Sequence, residues 1–132
     1  MQELGNISLK MKASETTLYQ YCVGALDTST AGQCVRCSGA NAGKLAGVLR
    51  NASLAEGEVG NFQYAGIAEV LIGNGTVNIG DVLVVYNAAG AVAAKGTGAH
   101  TSGTGIVGRA IKGGVSGDVI ECFLLIGSEY SS

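Results

Sequence analysis

Proline and tryptophan are absent from this 132-residue chain, histidine occurs once, and only 14% of the residues are charged. Each shortage removes a class of function. Aromatic residues make up 5% and the five tyrosines are spread along the chain, so there is no stacked platform of the kind that binds sugars. The formal net charge is -2. Nothing there neutralises phosphates, so a nucleic-acid partner is not expected. No apolar run approaches the roughly 18 residues of a membrane-spanning helix. The first residues show no basic start followed by an apolar core, so the chain is expected to be made and used in a cytoplasm, where disulfides are rare. An ordinary soluble domain carries about 25% charged residues. A chain with far fewer must cover apolar surface, and self-association is the usual means.

What is abundant is glycine, with 22 residues, and hydrophobic side chains, at 47%. Many glycines without prolines suggest tight turns between short strands. Short apolar runs bounded by Gly, Ser, Thr and Asn predict strands over 18–26, 33–38, 45–51, 59–63, 67–72, 81–86, 105–111 and 118–126. The expected fold class is all-β: a small Gly-rich β-barrel or sandwich over 17–132 with an extended N-terminal arm over 1–16. At most one short helix is allowed, over 40–49, and Gly43 and Gly47 weaken it.

One local pattern occurs three times. Gly57-Glu58-Val59, Gly80-Asp81-Val82 and Gly117-Asp118-Val119 each place glycine, an acid and valine at the start of an apolar run. The glycine suits a turn with positive φ, and the acid can accept hydrogen bonds from nearby backbone N–H groups. Residues 47–59 and 108–119 echo one another as strand, loop, turn and strand. Internal duplication and shared turn chemistry explain this about equally well.

Several strands are apolar on both faces. Val82 and Val84 oppose Leu83 and Val85, and in 119–126 only Glu121 interrupts. A one-sided sheet would alternate. A partner subunit over the outer face is preferred to a further segment of the same chain, and the candidates for that interface are Val84, Tyr86, Phe123 and Leu125.

Signals of catalysis are weak. His100 lies in the Gly-rich loop 96–103, a poor holder for a general base. Cys34-Val35-Arg36-Cys37 is a C-x-x-C, but no second pair accompanies it and the other cysteines are Cys22 and Cys122. On a strand, Cys34 and Cys37 would point to opposite faces, so buried thiols are expected rather than a zinc site. Gly103-Thr104-Gly105-Ile106-Val107-Gly108 matches a dinucleotide fingerprint as a string, yet a strand follows where a helix is required. Glu56, Glu58, Glu69 and Glu121 are scattered, and nothing in the sequence brings Glu69 and Glu121 together for glycosidase chemistry. No enzyme activity, cofactor or metal is expected.

The order of motifs resembles a family. It runs from Lys44-Leu45-Ala46-Gly47-Val48-Leu49 through Ala55-Glu56-Gly57-Glu58-Val59 and Tyr64-Ala65-Gly66-Ile67-Ala68-Glu69-Val70. It continues with Ile79-Gly80-Asp81-Val82-Leu83, Asn87-Ala88-Ala89-Gly90-Ala91-Val92, Gly105-Ile106-Val107-Gly108-Arg109-Ala110 and Ser116-Gly117-Asp118-Val119-Ile120. Over about residues 44–126 this resembles the head decoration, or capsid cement, proteins of tailed phages. The resemblance implies a homo-oligomer, expected to be a trimer, that binds the major capsid protein on the exterior of the virion and stiffens the head after assembly in the host cytoplasm. It also implies an arm that reaches the capsid lattice; the expectation placed on that arm is that Glu3–Lys12 adds as a strand to an exposed edge of the major capsid protein, with Ile7, Leu9 and Met11 filling pockets. The readings kept beside it are a carbohydrate- or ligand-binding β-module and another virion part such as a tail or fibre segment.

Overall fold

The computed structural model describes residues 7–13, 17–27, 29–36, 45–50, 53–86, 90–95 and 106–126. All regular structure among them is strand. The strands are β1 (Ile7–Ala13), β2 (Thr17–Leu18), β3 (Val23–Leu26), β4 (Gln33–Arg36), β5 (Leu45–Leu49), β6 (Leu54–Ala55) and β7 (Val59–Ala65). They continue as β8 (Ile67–Leu71), β9 (Thr76–Val77), β10 (Val82–Val85), β11 (Val92–Ala94), β12 (Ile106–Ala110), β13 (Gly114–Val115) and β14 (Val119–Leu124). The all-β expectation holds. Residues 45–49 of the segment allowed as a helix form β5, and residues 37–44 lie outside the described residues.

Two bodies stack. The first is a closed barrel in the order β1-β4-β3-β5-β7. The second is a five-stranded sheet in the order β11-β10-β12-β14-β8. A parallel bridge between Ile72 and Val92 joins its two edges at one point, so the sheet curls on itself. Two short ladders, β2 with β6 and β9 with β13, clip the connections.

The barrel interior holds Met11, Ala13, Leu18, Cys34, Ala46, Leu49, Leu54 and Phe62. A larger core fills the second sheet, where Val70, Ile72, Leu83, Val85, Val107 and Cys122 meet Val23, Ala25 and Val48 from the barrel. Strands β3 and β5 therefore stand between two cores. Along β5, Leu49 points into the barrel and Val48 into the sheet. Their two-sided apolar pattern is satisfied within one chain. On β10 the same holds: Leu83 and Val85 join the large core, while Val84, on the opposite face, is 1% exposed.

The segment expected as an arm enters the barrel. β1 pairs antiparallel with β7 from Ile7↔Ala65 to Lys12↔Val59 and parallel with β4 at Lys12↔Gln33 and Ala13↔Cys34. Alternation alone cannot separate a free arm from a wall strand, because both are extended with one apolar side.

The three glycine–acid repeats become three copies of one turn. Gly57, Gly80 and Gly117 have φ of 90, 92 and 95. In each copy the acid's N–H donates to the carbonyl three residues earlier: Glu58 to Ala55, Asp81 to Asn78 and Asp118 to Val115, at 3.0, 3.0 and 2.9 Å. Each carboxylate in return accepts from that earlier residue's N–H, at 2.7, 2.8 and 2.9 Å. This is a type II turn clamped by a side-chain oxygen. The strands on either side of the three turns are β6 and β7, β9 and β10, and β13 and β14, and in none of the three do the two flanking strands pair with each other: β6 pairs with β2, and β9 with β13. The turn thus recurs without a common ladder, as local chemistry alone would produce it.

Candidate functional site

A cleft of ≈ 360 Å³ opens where the barrel meets the edge strand β8, lined by Tyr21, Val48, Arg50, Gln63, Ile67, Ala68, Glu69 and Glu121. Its floor is fixed by two residues at the junction. Gln63 is 3% exposed, and its Nε2 donates to the carbonyls of Ala65 and Ile67 at 2.9 and 2.8 Å. A buried amide needs such partners, and here they secure the corner between β7 and β8. Tyr21 has φ 67, and it is the non-glycine residue with positive φ among the described residues. Its N–H donates to the Leu49 carbonyl at 2.9 Å and its own carbonyl accepts from the Leu71 N–H at 3.0 Å. These bonds tie barrel to sheet and hold a backbone conformation that costs about 1 kcal/mol or more.

Glu69 and Glu121 come together here. They are directly opposite in the antiparallel pair of β8 and β14. The ladder shows which kind of pair they form. The Ile72 N–H donates to Asp118 and the Leu124 N–H donates to Gly66. Even-numbered residues of β8 therefore bond to β14, and Glu69↔Glu121 is a non-hydrogen-bonded pair, the closer type for side chains. Lys112 Nζ lies 3.6 Å from Glu121 Oε1, with both side chains well exposed. Neither carboxylate is enclosed in the apolar pocket that a glycosidase builds around its acid. Sequence spacing could not have found this pair, because 52 residues and a strand register separate its members.

The outer face of β14 and β8 carries an apolar stripe. Phe123 is opposite Ile67 and Val119 opposite Leu71. Phe123 is 56% exposed, Ile67 48%, Val119 41% and Leu125 40%. Arg109, next to Phe123 on β12, borders the stripe and donates from Nη1 to the Gly80 carbonyl at 2.7 Å.

Of the residues expected at a subunit interface, Phe123 and Leu125 are exposed, Tyr86 is half-buried and Val84 is buried within the single chain. Val84 is corrected: it sits opposite Ala93 and Ile106 in the ladder and has no surface to offer a second copy. Of the three arm residues, Met11 is buried in the barrel, with the Cys34 thiol 3.3 Å from its sulfur. Ile7 and Leu9 are placed in the same wall by the register of β1 with β7. Burial pushes the thiols of Cys22, Cys34 and Cys122 up to about 11, 12 and 12, with the Asp27 charge adding to the effect at Cys34. All three are free thiols. His100 and Cys37 lie outside the described residues.

No family model matches the chain, and no curated protein matches it in sequence. A solved structure does match in fold. The head fiber gp8.5 N base of bacteriophage phi29 aligns with a TM-score of 0.63, covering 96% of this chain and 99% of that chain, at 12% identity. At that identity the shared property is the fold.

Proposed function

We propose that the chain is a structural component of a phage virion that attaches to the outside of the head as an oligomer, expected to be a trimer, without catalytic activity. The observation that carries this reading is the fold match to a head fiber base over nearly the whole of both chains. A match end to end, with little left over on either side, supports a shared architecture rather than a common small motif. The motif order described above, from Lys44 to Ile120, supports the same reading from an independent direction.

The apolar stripe of Ile67, Val119, Phe123 and Leu125 supports association with further copies or with the head surface. Exposed apolar patches of this kind mark contact sites on otherwise polar exteriors. Cyclic association would bury the same patch in every copy, and linked copies would multiply weak head contacts into strong attachment.

The test combines mass in solution with attachment. The purified chain is expected to sediment as a single oligomer and to bind isolated expanded heads that lack it. Phe123→Asp, at a position more than half exposed, should leave the fold intact and reduce oligomer mass or head binding. A chain that is monomeric at all concentrations and ignores heads would overturn the reading.

A further inference from the structure

We infer that the free edge of β8 is a slot for an extended segment of a partner protein carrying a lysine or arginine, which pairs with the main chain of Glu69. This deepens the reading above and rests on it for the partner's identity, since a head protein would supply the segment.

The argument begins with the ladder. Even-numbered residues of β8 bond to β14, so the N–H and C=O groups of Ile67, Glu69 and Leu71 point away from it, toward the cleft. An exposed edge of this kind is a template for any extended chain. The fold blunts it at both ends. The Ile67 carbonyl is taken by Gln63 Nε2 at 2.8 Å, and the Leu71 N–H by the Tyr21 carbonyl at 3.0 Å. Between those two plugs, the N–H and C=O of Glu69 have no hydrogen-bond partner among the described residues. The residues on either side of this gap, Tyr21 and Gln63, are the same ones that wall the cleft. The opening is thus one residue long: an incoming segment is extended only across Glu69, makes two main-chain bonds there and bends away from Gln63 and Tyr21 on either side.

Charge selects the segment. Glu69 and Glu121 face each other as like charges across a close pair, an arrangement that is destabilising by itself. Lys112 relieves Glu121. Glu69 has no cation beside it among the described residues. Arg50 lines the same cleft but makes no ion pair with Glu69 among the described residues. A basic side chain on the residue directly opposite Glu69 falls on the same face and completes the acidic pair. This is the mode in which a strand is added to a sheet edge, with main-chain bonds supplying attachment and one side chain supplying selectivity.

The experiment uses the full chain labelled with ¹⁵N and two peptides, acetyl-Thr-Val-Arg-Val-Thr-amide and its counterpart with glutamate in place of arginine. The arginine peptide should shift the amide signals of Ala68, Glu69 and Val70 saturably, and the glutamate peptide should bind at least about tenfold more weakly, the ratio that one charge-assisted hydrogen bond produces. Glu69→Gln should weaken the arginine peptide by a similar factor. Glu69→Pro should abolish binding, because it removes the free N–H; proline is tolerated on an edge strand when its nitrogen faces outward. Amide hydrogen exchange of the unmodified chain gives a second reading that needs no variant. The Glu69 amide should exchange fast, while those of Ala68 and Val70, which bond to β14, are protected. A protected Glu69 amide, equal binding of both peptides, or binding of neither overturns the slot. Head attachment is measured in parallel: heads bound without peptide binding defeat this inference alone, and peptide bound without head attachment defeats the proposed function alone.

Discussion

Two glycines of the second sheet should respond to the same substitution in opposite ways, and the contrast tests how the sheet is built. Gly80 stands in a turn with φ 92, and a Cβ built on it meets nothing within 4 Å. Gly80→Ala therefore carries only a backbone cost, about 1–2 kcal/mol for a left-handed L-residue. The reduced freedom of the unfolded chain offsets about 0.4–1 kcal/mol of this. The net loss should be about 1 kcal/mol. Gly108 is in the middle of β12, paired with Leu124 of β14. A Cβ there would collide with the Phe123 carbonyl oxygen, lie 3.0 Å from its carbon and 3.2 Å from the Leu124 Cα. All three are backbone atoms, so no side chain can rotate out of the way. The two central strands must part. Overpacking costs about 1–3 kcal/mol, and each ladder bond lost adds about 0.5–1.5 kcal/mol, so Gly108→Ala should cost about 3–5 kcal/mol. Urea unfolding followed by circular dichroism reads both. Gly57→Ala and Gly117→Ala, which share the turn of Gly80 with the same open surroundings, serve as replicates of the mild class. Equal losses at Gly80 and Gly108, or a larger loss at Gly80, would refute the assigned packing of β12 against β14.

Asp118→Ala removes the carboxylate that accepts from the Val115 N–H and should lower stability by about 1 kcal/mol, while Asp118→Asn retains most of it; identical urea midpoints for Ala, Asn and wild type would count against the clamped turn. Phe62→Ala empties the barrel interior, where the ring is fully buried, and should cost about 3–5 kcal/mol by thermal or urea unfolding. Cys22, Cys34 and Cys122, with thiols pushed up by burial to about 11, 12 and 12, should resist iodoacetamide at pH 8 in the folded chain and all react in urea, as peptide mapping by mass spectrometry will show. Because the folded thiols keep their protons above the ordinary value of 9.0, ionisation favours the unfolded chain from about pH 9 upward. Their contribution to stability should be complete below pH 9 and decline steadily toward pH 12, and a flat urea midpoint across that window would contradict their burial.

Much of the fold is legible in the residues, and the exceptions have physical causes. Runs such as 67–72, 81–86 and 105–111 are apolar, β-branched and bounded by glycine, and they form β8, β10 and β12 within a residue or two of the expected limits. The run 18–26 reads as one strand but breaks into β2 and β3, because the chain turns through Tyr21 with positive φ. A tyrosine gives no warning of such a turn; the bonds to Leu49 and Leu71 that hold it are tertiary. β11 is missed because it consists of one valine and two alanines, a composition with little strand preference. Of the cleft, Glu69 and Glu121 were visible as strand carboxylates, but their meeting depends on the register of β8 with β14, and the two plugs of the edge are a backbone carbonyl and a buried amide that carry no motif.

The strands that are apolar on both faces bear differently on oligomerisation once the two stacked bodies are known. In β3 and β5 the second face is the seam between barrel and sheet, and in β10 the second face is already closed within one chain. Those patterns need no partner, so low charge and two-sided strands are weaker signs of self-association than they look in the sequence. What a single chain leaves uncovered includes the outer face of β14 and β8, where Phe123, Ile67, Val119 and Leu125 remain 40–56% exposed, beside Ile79, Val59 and Val115 elsewhere at 76%, 59% and 52%. That face adjoins the edge on which Glu69 is unpaired, so a neighbour seated on the stripe and a strand docked at the edge would touch the same two strands from different directions. A surface contact buries side chains and tolerates Glu69→Pro, whereas edge pairing tolerates Phe123→Asp and fails without the Glu69 N–H. The two substitutions therefore separate the contacts that the bulk composition merges into one.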